Sequence, residues 1–138
     1  MALIDDLKDS PSNMPASSKF ISFNGMVYMV FGALIMIWPG ALQAVFHDPG
    51  FAGHERELTR VLGMLGAIIG WFYFFGGRSG SRQVVAASVL HRIILVPLVL
   101  VPVAMSGVLP RVFCTIAILD PLLGLSTWYL SGRENRGR

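Results

Sequence analysis

The chain has 138 residues, one domain's worth, of which 54% are hydrophobic and only 14% charged, and its mean hydropathy is +0.62. A soluble domain of this size cannot hide so much apolar surface, so the composition points to a membrane protein. The formal charge of +3 is small and the basic residues lie among termini and turns, with no stripe of interleaved aromatics, which argues against nucleic acid as a partner. The single cysteine, Cys114, excludes a disulfide framework and a cysteine-based metal site.

Residues 1–19 carry three aspartates, two lysines and a Ser/Pro/Asn-rich stretch, and they lack the basic and apolar regions of a secretory signal. They read as a poorly ordered soluble arm, with a short interfacial helix from Ala2 to Lys8 as the alternative. Residues 20–38 are free of charge and match the roughly 20 residues an α-helix needs to cross about 30 Å of hydrocarbon. Trp38 anchors that span at an interface, and Pro39 with Gly40 ends it. A polar loop follows, containing His47, Asp48, His54, Glu55 and Glu57.

The second span covers about 58–76. Arg60, Gly63, Gly66, Gly70, Tyr73 and Gly77 recur at steps of three or four and share one face, which includes a literal GxxxG at Gly66 and Gly70. A turn rich in Gly, Ser and Arg leads to the third span, about 83–105. Pro97 and Pro102 in its second half predict a kink or a loosened turn. The fourth span, about 112–130, carries Asp120 before Pro121 and ends in Trp128 and Tyr129; residues 131–138 form a basic tail.

The expected fold is therefore all-α, a four-transmembrane-helix antiparallel bundle occupying residues 20–130. Four crossings put both termini on one side, together with Lys8, Lys19, Arg78, Arg82, Arg133, Arg136 and Arg138, against Arg56, Arg60 and Arg111 on the other. The positive-inside rule places the termini in the cytoplasm.

His91 and Arg92 sit side by side in the third span, and Asp120 is the only acid inside any apolar run. Hydrocarbon does not host such groups without a reason. Arg92 lies ten residues after Arg82 and Asp120 eleven before Ser131, which at about 1.5 Å per residue puts both roughly 15 Å deep, near the midplane. An Arg92–Asp120 ion pair is the expected contact, with Ser88 a candidate partner for His91 or Arg92. Ala117, Gly124 and Thr127 extend the Asp120 face in small residues, the composition of an inward face.

One role for the cluster is architectural, fixing which faces of the bundle meet. The other is a pocket for a polar head group or a proton-handling site with His91 as its titrating member. Arg60 belongs near the opposite interface, where it can snorkel or line the mouth of a cavity floored by Arg92 and Asp120. Asn24, Tyr28 and Tyr73 fall in the cytoplasmic half and read first as interhelical hydrogen-bonding groups. The loop histidines and acids lack metal-ligand spacing, no cofactor is indicated, and pairing of Glu55 or Glu57 with Arg56 or Arg60 is the simpler account.

The segments Arg60-Val-Leu-Gly63 and Gly70-Trp-Phe-Tyr73, with the inward Asp120, resemble the small bacterial four-helix membrane proteins grouped as DoxX-like. The resemblance covers about 20–130 and implies a four-helix bundle in the bacterial inner (plasma) membrane, often a subunit or partner of an oxidoreductase. No haem-ligand pair or redox cysteine pair accompanies it. The reading is an accessory or lipid-like-ligand-binding protein, leaning away from an enzyme, with membrane lipid, a lipid-like or quinone-like small molecule, a second copy or a membrane complex as partners. The alternatives are a small enzyme acting on a lipid or isoprenoid through His91, Arg92 and Asp120, and an oligomeric transporter or proton conductor.

Overall fold

The computed structural model describes residues 7–136. Most of the candidate interfacial helix at Ala2 to Lys8 lies outside the described residues. Five helices follow: α1 Ala16–Ile37, the short α2 Gly40–Phe46, α3 Glu55–Arg78, α4 Arg82–Met105 and α5 Pro110–Arg136. All but α2 are long and apolar enough to cross a membrane, and they form an all-α four-helix bundle. The chain is an integral membrane protein by this measure. Its terminal end gathers the start of α1, the end of α5 and the α3–α4 turn; its loop end gathers α2 and the α4–α5 turn.

The distribution of side chains is the reverse of a soluble domain's. Val30, Phe72, Leu98, Ile118 and Trp128 are exposed, while Ser18, Asn24, Thr59, Ser88, Arg92, Asp120 and Thr127 are buried. Hydrocarbon tolerates the first set, and helix packing hides the second.

Each spanning helix is longer than its apolar run. α1 begins four residues before the expected start, at Ala16, because Ser17 finds a partner there: its backbone N–H and hydroxyl donate to the Glu134 carboxylate at 2.9 and 2.7 Å. A carboxylate at a helix N-terminus satisfies otherwise orphaned donors and meets the positive end of the dipole. The basic tail is helical as far as Arg136, which brings Glu134 into position. The helices thus reach beyond the expected spans, to Ala16 at one end and Arg136 at the other.

The same device operates at the loop end. Asp48 is buried, and its two carboxylate oxygens accept from the backbone N–H groups of Arg111 and Val112, both at 3.0 Å. The Arg111 side chain in turn donates to the carbonyls of Phe46 and His47. Part of the segment expected to be a plain polar loop is thus α2 and a cap for α5. Glu57 pairs with Arg60 at 3.5 Å, as the simpler account had it, and Glu55 accepts instead from the Ala52 N–H at 2.7 Å.

The tightest packing joins α1 to α3. Gly63, Gly70 and Gly77 face Gly32, Gly25 and Ser18 in antiparallel order, seven residues apart on each helix. A Cβ on Gly70 would stand 2.6 Å from the Gly25 carbonyl oxygen, and one on Gly63 would stand 2.8 Å from that of Gly32. Backbones meet here because nothing projects between them. Gly66 of the literal GxxxG is peripheral: its Cβ would come no nearer than 3.8 Å, to Gly32 Cα. The seven-residue spacing of Ser18, Gly25 and Gly32 is the signal that identifies the partner helix.

Gly70→Ala is expected to lower the thermal stability of the detergent-solubilised protein by on the order of 1–3 kcal/mol, the usual cost of forcing an extra methyl into a packed site. Gly66→Ala should leave the melting temperature unchanged, and equal losses in both would contradict the glycine register. Asp48→Ala should cost about 0.5–2 kcal/mol, as loss of a helix cap does, and hydrogen exchange should rise at Arg111 and Val112.

Candidate functional site

Proline dictates the local form of α4. Pro97 has no N–H to donate, and its ring crowds the carbonyl four residues back. The turn before it, His91–Leu95, is π-helical, with the Val96 N–H bonded to the His91 carbonyl five residues earlier. A widened turn relieves the crowding and changes the angular register of the helix, and such turns are frequent at functional sites. The loosened turn lies before Pro97 instead of in the second half of the span, and it begins at His91 and Arg92.

Arg92 is 0% exposed. Its guanidinium lies 4.6 Å from the centroid of the Tyr73 ring and 5.4 Å from that of Tyr28, and Nε stands 3.7 Å from Asp120 Oδ1. The expected ion pair exists, at a separation longer than a hydrogen bond. None of the three guanidinium nitrogens has a hydrogen-bond partner among the described residues. Asp120, 4% exposed, instead accepts from the Tyr28 hydroxyl. Gly124 makes the seat: a Cβ there would stand 3.1 Å from Arg92 Cβ.

His91 is half-buried, and its Nδ1 is 3.0 Å from the Tyr73 hydroxyl. The rings of Tyr28 and Tyr73 meet edge-on, with centroids 5.9 Å apart. Tyr28, Tyr73, Arg92 and Asp120 thus bring one group from each of the four spanning helices to a single point. Tyr28 was expected in the cytoplasmic half; the earlier start of α1 shifts it about 6 Å deeper along the helix axis. Tyr73 lies five residues from the end of α3 and reaches the same level because helical side chains lean toward the N-terminus, here the loop end.

Other expected residues lie elsewhere. Ser88 is buried, but its hydroxyl donates to the Val85 carbonyl at 2.9 Å and serves neither His91 nor Arg92. Asn24, also 4% exposed, lies one turn from Tyr28 on the same face, and its Nδ2 has no hydrogen-bond partner among the described residues. Arg60 stays with Glu57 and is not among the residues lining the cavity beside the cluster. Ala117, Gly124 and Thr127 are buried, as an inward face requires.

A cavity of about 300 Å³ with an almost wholly apolar surface lies beside the cluster, and its lining residues include Tyr28, Tyr73, His91 and Asp120 as well as Leu95 and Val99. Leu95 and Val99, on α4, are each half exposed, and Ile69 of α3 and Ile116 of α5 complete the apolar lining with Val96 and Leu100. Arg92 does not line it. Among the described residues no group of three or more His, Cys, Asp or Glu side chains could hold a metal ion.

No known protein family, curated protein or solved structure matches this chain.

Removing one member of a buried charge pair strands the other. Arg92→Leu and Asp120→Leu should each cost on the order of 3–5 kcal/mol, and the double variant should recover most of it. Thermal melts of the purified single and double variants check this. Additive losses would mean that each residue acts through a separate partner.

Proposed function

We propose that this small membrane protein holds a lipid-like amphiphile in the cleft between its helices and acts as an accessory subunit of a membrane complex or as a homo-oligomer. The observation that carries the binding reading is the cavity, whose surface is almost wholly apolar and whose lining residues include Tyr28, Tyr73, His91 and Asp120 of the polar cluster. Ligand sites combine a mostly apolar lining with a few placed polar groups, and 300 Å³ lies at the lower end of their size range. The subunit reading rests on the DoxX-like resemblance and on the small size of the bundle.

Conduction is less well supported. A path for protons or solutes calls for polar groups between Arg60 and the midplane, whereas the cavity there is walled by Ile69, Leu95, Val96, Val99, Leu100 and Ile116. One observation favours the enzyme alternative, in that His91 lines the cavity with its Nδ1 held by Tyr73. Arg92 is poorly placed to grip an anionic head group, since it lies behind the lining.

Filling the cavity tests the binding reading. Val99→Trp should fold, since Val99 is half exposed, and should abolish any amphiphile that copurifies with the native protein in native mass spectrometry. Retention of the same species at the same occupancy would overturn the assignment.

A further inference from the structure

We propose that the terminal-end half of α5 seats an anionic phospholipid of the surrounding leaflet, with an acyl chain along Leu122, Leu125 and Tyr129 and the phosphate at Arg133 and Arg136. The seat shares no residue with the cavity beside the polar cluster, and it requires only that the chain crosses a membrane.

Helical spacing builds the seat. Leu122, Leu125, Ser126, Tyr129, Arg133 and Arg136 follow one another at steps that keep to one face of α5, and all six are exposed. An open groove of about 470 Å³ runs along the apolar part of this face, lined by Leu122, Leu125, Ser126, Tyr129 and Leu130. Beyond it the Arg133 guanidinium lies 6.0 Å from the centroid of the Tyr129 ring, and Arg136 follows in the last turn of the helix. Leu122 and Arg133 are eleven residues apart, about 16 Å along the axis, or half of the ~30 Å hydrocarbon thickness. The stripe therefore fits within one leaflet. It passes from leucine through tyrosine, a residue of the membrane interface, to arginine, as a phospholipid passes from chain through glycerol to phosphate.

Charge complementarity selects the anionic class. At the loop end Arg56, Arg60 and Arg111 are matched by Asp48, Glu55 and Glu57, and in the middle Arg92 is offset by Asp120. At the terminal end Lys8, Lys19, Arg78, Arg82, Arg133 and Arg136 stand against Asp9 and Glu134 alone among the described residues. Glu134 accepts from Ser17 of α1 with both carboxylate oxygens, and neither Arg133 nor Arg136 forms an ion pair with a described carboxylate. Two arginines on an exposed stripe thus meet lipid head groups with their charge unmatched. A zwitterionic lipid answers them with its phosphate but brings its own ammonium close by, whereas an anionic lipid adds no second cation.

The test uses the full chain in nanodiscs, with Trp38→Phe and Trp71→Phe so that Trp128, exposed next to Tyr129, is the only tryptophan. Phosphatidylglycerol or phosphatidylcholine with brominated acyl chains is introduced at equal mole fraction into unbrominated phosphatidylcholine, and quenching of Trp128 reports the lipid beside the groove. The relative affinity for phosphatidylglycerol should be at least ~5-fold, the scale of one Lys or Arg contact at a membrane surface, and should fall as salt is raised. Arg133→Gln with Arg136→Gln should bring it down to that of phosphatidylcholine without changing the melting temperature. Lys19→Gln with Arg82→Gln, which removes the same charge at the same end, should keep at least half of the preference. Equal quenching by the two lipids before any arginine is replaced overturns the proposal, as does a preference that survives Arg133→Gln with Arg136→Gln. Loss of the preference in both double variants overturns it too, since the attraction would then be diffuse, with no seat on α5.

Discussion

A guanidinium that no solvent reaches, midway along four apolar helices, is the constraint on which this structure depends. Placing an arginine at the centre of a membrane helix costs roughly 2.5–3.5 kcal/mol on insertion scales and more on an isolated helix. Here two aromatic faces flank Arg92, each contributing about 2 kcal/mol when desolvated, and Asp120 supplies the opposite charge. Those contributions are of the size needed to offset the penalty without a direct hydrogen bond. Their sources matter as much as their sum. Tyr28 is on α1, Tyr73 on α3, Arg92 on α4 and Asp120 on α5, so Arg92 is satisfied only when all four spanning helices converge. Lipid supplies no hydrophobic force to choose among helix faces, and the cluster makes that choice.

Two kinds of packing divide the bundle. α1 and α3 approach backbone to backbone along Gly25, Gly32, Gly63, Gly70 and Gly77. α4 cannot do the same, because its middle turn is π-helical and its second half carries Pro97 and Pro102, and that second half packs chiefly on α5. A tight pair beside a looser one leaves a gap where α3 and the second half of α4 diverge. The cavity occupies that gap, and the polar cluster lies at its edge because convergence ends there. One proline-driven departure from α-helical geometry thus shapes both the seat of Arg92 and the opening beside it.

The spans, the antiparallel order and the meeting of Arg92 with Asp120 were legible in the sequence, because charge-free runs of fixed length and equal depths from the turns are one-dimensional quantities. Side-chain partners were less so. Equal depth says nothing about azimuth, which is why Ser88 appeared available to His91 and in fact bonds Val85. The place of Tyr28 depended on where α1 begins, and that start is set by Glu134, 117 residues away in sequence from Ser17. The literal GxxxG drew attention to Gly66, whereas the closest approaches follow a seven-residue spacing that is visible only when both helices are compared. Asp48 read as one acid in a polar loop; its role as a cap for α5 is a tertiary contact with no local signature.

The caps at the two ends bear on how anything enters the cavity. At the terminal end, Glu134 of α5 holds the start of α1. At the loop end, Asp48 and Arg111 bind the α2 segment to the start of α5, while α2 also packs on α1. Each cap is a charge-assisted set of hydrogen bonds to backbone groups, and together they tie α1 and α5 at both extremities. Opening the bundle end-on would break one set and expose helix-terminal donors. Between α3 and α4 the polar contacts described are those of Tyr73 with His91 and Arg92, and the other cavity residues on these two helices, Ile69, Leu95, Val96, Val99 and Leu100, are apolar. For the proposed amphiphile-binding role, a side entry that leaves both caps intact suits a molecule already dissolved in the membrane.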